Sequence, residues 1–239
     1  MSFWDNHVLT LKREIDNGFN LSRGKLKATI GYTNAKYTRK LLDTHQGDVL
    51  FEKIKDPSYG NPEMIDGYSM STIRCLDYMR HMETHVDLKE INSVIDFGSG
   101  YGNFCRIWKI FNPNVKYYNV DLEEMLEMQK DYIENTVGNK SDIHYITHRQ
   151  LDQVDTNKSL FIASYSLSEC SFDVREEVEP YLSDYDYILI IYNQMFNGEY
   201  DNIKYFDDIQ ETVLSNHECN VIYDHDSAKR WLVCKKKHI

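Results

Sequence analysis

The chain has 239 residues, is 41% hydrophobic and 13% aromatic, and carries a formal net charge of −11. That is enough for one α/β domain with an extension and a sizeable core. No stretch approaches the roughly 18 uncharged apolar residues of a membrane span, and Met1-Ser2-Phe3-Trp4-Asp5-Asn6 lacks the basic and apolar regions of a secretory signal. A cytoplasmic location is expected.

In chain order, apolar residues at helical spacing (Phe3, Val8, Leu11, Ile15) predict a helix over 3–17. Residues 23–40 (RGKLKATIGYTNAKYTRK) then hold six cations and no acid, with Tyr32 and Tyr37 between them. This segment reads either as a solvated face or as a contact for an anionic substrate: a sugar phosphate, a nucleotide sugar or nucleic acid. Lys55-Asp56-Pro57-Ser58-Tyr59-Gly60-Asn61-Pro62 is a turn-rich loop. A second helix is expected over 69–85, with His81 and His85 one turn apart on one face. With no third ligand nearby in sequence, that pair does not make a metal site.

Charge divides the chain near residue 90. Residues 1–90 carry 13 Lys/Arg and 13 Asp/Glu, whereas 91–239 carry 14 and 25, so the whole excess of 11 acids lies in the second part. A surface this acidic is a poor general partner for phosphate backbones. The expected organisation is a helical extension over 1–90 and a catalytic domain over 91–239.

From residue 91 strands and helices alternate, the pattern of a mostly parallel sheet clad by helices on both faces. The strands are expected at 93–97, 115–120, 142–147, 159–164 and 186–192. Intervening helices fall near 103–111, 122–136, 173–182 and 205–216. Two further strands, 220–223 and 231–235, are joined by Asp224-His225-Asp226-Ser227-Ala228-Lys229-Arg230.

The first of these strands carries the strongest signal. Val94-Ile95-Asp96-Phe97-Gly98-Ser99-Gly100-Tyr101-Gly102 is an apolar run delivering an acid and then three glycines at alternating positions. A turn of this kind lets the backbone approach a ligand closely before a helix begins. A nicotinamide fingerprint, G-x-G-x-x-G, would need its third glycine at 103, which is Asn103. The next strand ends in Asp121, the distance past the glycine turn at which nucleotide-binding α/β folds place a carboxylate on ribose hydroxyls.

The D-x-G-x-G-x-G spacing resembles the first motif of class I methyltransferases, which bind S-adenosylmethionine (SAM) and release S-adenosylhomocysteine. The resemblance implies a Rossmann-like, seven-stranded, mostly parallel sheet with a C-terminal antiparallel hairpin, preceded here by the helical extension. It also implies that the glycine turn passes the methionine part of SAM and that Asp96 serves its amino group. Gly60-Asn61-Pro62, the stretch from Tyr117 through Asp121 to Met128-Gln129, and Ser166-Leu167-Ser168-Glu169 further resemble sugar O-methyltransferases of polysaccharide clusters and phage-like genomes. Cys170 stands where that family would be expected to have methionine or another apolar residue. On this likeness residues 60–72 would close over the cofactor, with Asn61, Tyr68 and Ser69 on the acceptor side.

Ligands of open α/β sheets bind beyond the carboxyl ends of the parallel strands. That rule selects Asp96, Gly98, Ser99, Gly100, Tyr101, Gly102, Asp121, Leu122, His148, Ser164 and Tyr165 for the cofactor, and Asn193 for the acceptor. Transfer to a hydroxyl needs a base. His225, flanked by Asp224 and Asp226, is the first candidate and Glu169 the second. The Asp-His-Asp cluster could instead hold a divalent cation, although none is required. The segment after 159–164 lacks the [DN]-P-P-[YF] of DNA amino-methyltransferases, which argues against methylating a base amine. Two other functions compete with sugar O-methylation: a nucleic-acid methyltransferase using 23–40, and a non-catalytic SAM-fold protein binding a partner. Oligomeric state, a homodimer included, stays open.

Five cysteines, at 75, 105, 170, 219 and 234, are scattered and show no C-x-x-C spacing. They read as reduced thiols rather than as staples or zinc ligands.

Overall fold

The computed structural model describes residues 3–24, 35–45, 47–196, 200–224 and 229–237. Contacts divide the chain into two units that interleave along the sequence. One comprises 1–84, 99–114 and 122–141; the other comprises 85–98, 115–121 and 142–239.

The first unit is helical. Its helices are α1 (Phe3–Asp16), α2 (Ala35–Thr44), α3 (Val49–Lys53), α4 (Met70–Glu83), α5 (Asn103–Phe111) and α6 (Glu123–Thr136), with a minimal hairpin of β1 (Met64–Ile65) and β2 (Tyr68–Ser69). α1, α4, α5 and α6 follow the expected spans to within two residues. α2 and α3 were not expected. α2 has only Thr38 and Leu41 buried, so its apolar stripe is too thin to stand out in sequence.

Packing in this unit centres on a buried polar network. Asp56, in the turn-rich loop, accepts from the Ser69 backbone N–H at 2.7 Å, the Ser69 hydroxyl at 2.8 Å and the Thr72 hydroxyl at 2.6 Å. Ser69 in turn caps α4, its Oγ accepting from the Thr72 N–H at 3.1 Å. Arg106 on α5 lies 3.8 Å from Asp56, and both side chains are 3% exposed or less. Its guanidinium also donates to the Lys55 carbonyl, to Thr72 Oγ1 and to Asn103 Oδ1. Tyr132 of α6 donates to Asn103 Oδ1 at 3.1 Å, which ties α6 to the first residue of α5. Around it, Phe19, Tyr59, Tyr101 and Tyr132 form an aromatic cluster.

The second unit holds a seven-stranded sheet in the order β10-β11-β7-β6-β3-β4-β5. These strands are β3 (Ser93–Phe97), β4 (Lys116–Val120), β5 (Ile143–Ile146), β6 (Ser159–Ser164), β7 (Tyr187–Asn193), β10 (His217–Asp224) and β11 (Lys229–Lys236). A further two-residue pair, β8 (Met195–Phe196) and β9 (Tyr200–Asp201), stands apart. β3 pairs in parallel with both β4 and β6, and β11 runs antiparallel to β7 and β10. β3 is buried throughout, as a central parallel strand must be. Two helices belong to this unit, α7 (Phe172–Leu182) and α8 (Asn202–Thr212). They contribute Val178, Leu182, Phe206 and Ile209 to a core shared with Ile95, Phe161, Ile188 and Leu232. The α/β class, the parallel order and the terminal hairpin are those expected.

Three details differ. The last helix was expected over 205–216 but spans 202–212, because Asp201 caps it by accepting from the Ile203 and Lys204 N–H groups at 3.1 and 3.2 Å. The hairpin strands were expected over 220–223 and 231–235 and are eight residues each, since pairing continues through polar residues at both ends. The reading of five free thiols is corrected at two of them. Cys219 and Cys234 face each other directly across β10 and β11 and form a disulfide; Cys75, Cys105 and Cys170 keep their thiols outside any disulfide. No described helix is long and apolar enough to cross a membrane.

Arg106→Met leaves Asp56 buried without its cation, and losing one partner of such a pair costs about 3–5 kcal/mol. For a chain of this size the thermal midpoint should fall by roughly 10 °C, which a melt followed by circular dichroism reads directly.

Candidate functional site

Strand order in the second unit reverses between β3 and β6: from β3 the chain builds outward to β4 and β5, then returns to β6 and β7. Ligands of open α/β sheets bind at this reversal, beyond the carboxyl ends of the strands. Asp96, Gly98, Asp121, His148, Ser164, Tyr165, Glu169 and Asn193 all follow or end these strands, so the topology gathers them on one edge.

Two unusual backbone positions make the reversal. Gly98 has φ +75°, and a Cβ there would fall 2.2 Å from the Ser166 Cβ. Its N–H donates to the Val120 carbonyl at 2.7 Å, holding the end of β3 to the end of β4. Ser166 donates its hydroxyl to the Phe97 carbonyl. Tyr165 takes φ +68°, a left-handed conformation that costs a non-glycine residue energy, and its N–H reaches the Ile191 carbonyl at 2.8 Å.

Three acids face this edge. Asp96 is 4% exposed and accepts from the Tyr117 hydroxyl at 2.8 Å. Burial pushes its pKa up to about 7; the Tyr117 hydrogen bond opposes that, and the Asp121 charge adds to it. Asp121 is half-buried, with its N–H held by the Ile146 carbonyl at 3.2 Å. Glu169 closes a short 310 turn, Leu167–Glu169. It is half-buried, burial alone raises its pKa to about 7, and among the described residues its carboxyl has no hydrogen-bond donor. The Cys170 thiol next to it is pushed up to about 12, chiefly by burial.

Arg175 on α7 is fully buried and shapes this turn, donating to the Cys170 carbonyl at 3.1 Å and the Ser168 carbonyl at 2.7 Å. Phe172 and Tyr205 cover its guanidinium at 5.2 and 4.5 Å. Nothing in the sequence marked Arg175, because its partners are backbone carbonyls. Ser166 and Tyr117 were read as members of their segments with no role of their own, and their bonds to Phe97 and Asp96 are tertiary contacts.

His148 opens a 310 segment after β5, its Nε2 3.0 Å from a Glu177 carboxylate oxygen. Asn193 ends β7 and is exposed, and its carbonyl accepts from the Asn202 side chain at 3.0 Å. Register places Lys229 beside Asn193, so β10 ends and β11 begins at this same edge. His225 and Asp226, which follow β10, lie outside the described residues.

The other expected residues fall in the helical unit. Gly102 (φ +90°) is the residue before α5, and a Cβ on it would lie 3.3 Å from Ile133 of α6. Gly100 (φ +61°) has open space where a Cβ would be, and its carbonyl accepts from the Gln129 side chain at 3.0 Å. Ser99 and Tyr101 are buried, and Leu122 is the residue before α6. Asn61 is exposed at φ +45°. Tyr68 is half-buried, its hydroxyl donating to the Phe51 carbonyl at 2.6 Å. Ser69 is 4% exposed, its hydroxyl donating to Asp56 at 2.8 Å and accepting from the Thr72 N–H at 3.1 Å as the cap of α4. His81 has its Nε2 3.9 Å from the Asp77 carboxylate oxygen that also binds His45 at 2.9 Å. No group of three potential metal ligands occurs among the described residues.

No family model matches the chain, and no curated protein does. Solved structures match in fold. A protein of Clostridium thermocellum assigned as an rRNA methylase superposes with a TM-score of 0.55 at 9% identity, over 68% of this chain and 94% of its own. The methyltransferase domain of a bacterial Hen1 protein gives 0.52 at 13%, over 68% and 97%. A Nostoc punctiforme protein assigned as an O-methyltransferase gives 0.52 at 14%, over 70% and 57%. The chain therefore has the fold of these methyltransferases.

The raised acids make a pH dependence. A carboxyl whose pKa rises on folding binds its proton more tightly in the native state, so the stability it contributes is complete below about pH 4 and is lost as pH rises through about 7. Without ligand, the urea midpoint should fall between pH 5 and pH 8. Asp96→Asn should flatten that fall and raise the midpoint at pH 8; an unchanged slope would show that Asp96 is already charged at pH 5.

Proposed function

We propose that this protein is a SAM-dependent methyltransferase that moves a methyl group to a hydroxyl, the acceptor being a sugar or a sugar-bearing molecule. The observation that supports it most is the pairing of Asp96 and Asp121 at the two strand ends next to the reversal, with the glycine turn between them in sequence. The residues fit the cofactor chemically. Asp121 offers a carboxylate to ribose hydroxyls, and Asp96 an acid to the cofactor's ammonium group. Gly100 leaves open space beside a left-handed turn, where a side chain would stand in any other residue. Gly98, Ser164 and Tyr165 join Asp96 and Asp121 in this role; Ser99, Gly100, Tyr101, Gly102 and Leu122 enter it by continuity of the chain. His148, tied to Glu177, is assigned to the adenine end.

When bound, SAM supplies an electrophilic methyl group on a sulfonium. The protein's part is to align the acceptor and accept its proton. Glu169 is the group assigned to that proton. With its pKa near 7 and no competing donor among the described residues, it is substantially ionised at neutral pH and close in basicity to the optimum for proton transfer. With SAM bound, the Glu169 carboxylate would accept the proton of the acceptor hydroxyl as that oxygen takes up the methyl group the cofactor would supply. His225, with Asp226, is the second candidate base. Asn193, Asn61 and Tyr68 are assigned to the acceptor. A cytoplasmic location is part of the same reading.

Calorimetric titration with S-adenosylhomocysteine tests the cofactor. Micromolar binding is expected, with at least a tenfold loss in Asp121→Ala. The ammonium group favours a charged Asp96, so binding should expel a fraction of a proton near pH 7 and tighten as pH rises from 6 to 8. Heats measured in two buffers of different ionisation enthalpy report that proton. No binding at millimolar ligand would remove the reading. Once an acceptor is in hand, Glu169→Gln should lower kcat by about 100-fold or more with cofactor affinity intact, and His225→Ala should do so instead if His225 is the base.

A further inference from the structure

The two faces of β4 differ in chemistry. Tyr118 and Val120 enter the core shared with Phe161 and Leu167. Tyr117 and Asn119 lie on the opposite face, both fully buried, and Asp121 follows at the same spacing of two. Buried polar side chains need partners. Parallel pairing sets Asn119 in register with Asp96 and Tyr117 in register with Val94, so Tyr117 stands two residues back from Asp96 on the same face. Its hydroxyl spans that step and donates to Asp96 Oδ2 at 2.8 Å. On the other side of β3, β6 places the apolar Ile162 beside Asp96. Burial makes the Asp96 carboxyl hard to ionise; the Tyr117 hydrogen bond opposes that, and the Asp121 charge adds to it.

We infer that Tyr117 is a positioning residue of the cofactor site: its hydroxyl holds the Asp96 carboxyl in place as the ionised partner of the ammonium group of SAM. The inference rests on the methyltransferase reading and adds to it a residue that acts through Asp96. A hydrogen bond to an ionised acceptor is about twice as strong as one between neutral groups, so the donor favours the carboxylate over the acid. An ammonium gains a full opposite charge from a carboxylate and only a dipole from a carboxylic acid. A phenol donates without bringing a positive charge. Lysine or arginine in its place would ionise Asp96 too, but would repel the ammonium. The inferred task also accounts for a hydroxyl on a fully buried strand face, where phenylalanine would fill the same space.

The test is Tyr117→Phe in the full chain, which removes the donor and keeps the ring. S-adenosylhomocysteine is titrated calorimetrically from pH 6 to pH 8.5. If the hydroxyl shifts the ionisation of Asp96 by about one pH unit, the variant should bind roughly tenfold more weakly at pH 6 and within about twofold of the parent at pH 8.5. Tyr118→Phe is the control. It removes a buried hydroxyl from the other face of β4, one that accepts from the Asp155 N–H at 3.2 Å, and should keep the parent's pH profile. A second readout needs no ligand. Without its donor Asp96 stays protonated to higher pH, so the urea midpoint of Tyr117→Phe should fall more steeply between pH 5 and pH 8 than that of the parent. In an Asp96→Asn background the same substitution should leave the slope unchanged. Equal weakening at pH 6 and pH 8.5, or a urea slope equal to the parent's, overturns the inference, since the hydroxyl would then serve packing alone. Absence of S-adenosylhomocysteine binding in the parent removes the methyltransferase reading itself, so the two failures are distinguishable.

Discussion

Gly98 leaves β3 within contact of Ser166, in a backbone conformation that other residues adopt at a cost and with no room for a Cβ. Everything at the carboxyl edge follows from that close approach. The Ser166 hydroxyl can reach the Phe97 carbonyl only because nothing stands between them. That bond holds the segment after β6, which turns left-handed at Tyr165 just before Ser166 and runs on to the 310 turn that ends in Glu169. Arg175 completes the turn from below by satisfying the Ser168 and Cys170 carbonyls, which burial would otherwise leave without donors. A side chain at 98 would disrupt the turn through Ser166 before it affected any ligand. The glycine is thus a structural requirement first, and its value to a ligand comes from the geometry it permits.

The same edge is electrostatically costly. Asp96 is buried near Asp121, and Glu169 is half-buried without a donor among the described residues; each is more easily protonated than a carboxylate in water. Folding for its own sake would not collect acids where they are hard to ionise. Such a constellation is characteristic of functional sites, where strain and perturbed ionisation are retained because a ligand relieves them. A ligand that brings positive charge and hydroxyl donors to this edge returns the acids to their ionised forms. The helical unit shows the contrasting arrangement. There Asp56 has Arg106, Ser69 and Thr72 around it, the pattern of a buried acid that serves packing.

The parallel sheet was legible because each of its strands is an apolar run bounded by turn residues, and because Asp96 and Asp121 end two of them. The glycine spacing located the reversal, and the carboxyl-edge rule then selected Glu169, Ser164, Tyr165 and Asn193 with no knowledge of contacts. What could not be read depends on tertiary pairing. The Cys219–Cys234 disulfide exists because two cysteines fifteen residues apart fall opposite each other in a hairpin whose register is set by its full eight-residue pairing. Expected strands of four and five residues did not extend to that alignment. Ser69 was singled out through the family resemblance, whereas its bonds to Asp56 and to the Thr72 N–H arise from a tertiary contact that the sequence does not display. α2 was missed as a helix, whereas its charge was read, since charge is a property of composition and a thin apolar stripe is not.

Segregation of charge along the chain connects these observations. Residues 91–239 carry 14 Lys/Arg and 25 Asp/Glu, an excess of acids that disfavours a polyanion near them. Long-range repulsion is screened within about 10 Å at 0.1 M salt, whereas Lys36, Arg39 and Lys40, at helical spacing on α2, attract an anion at contact distance. Attraction of this kind weakens as salt rises, because each released counterion gains less entropy in an already concentrated solution. Sequences that place cations together and acids elsewhere therefore encode orientation as well as affinity, and the neutral sum over residues 1–90 conceals that polarity.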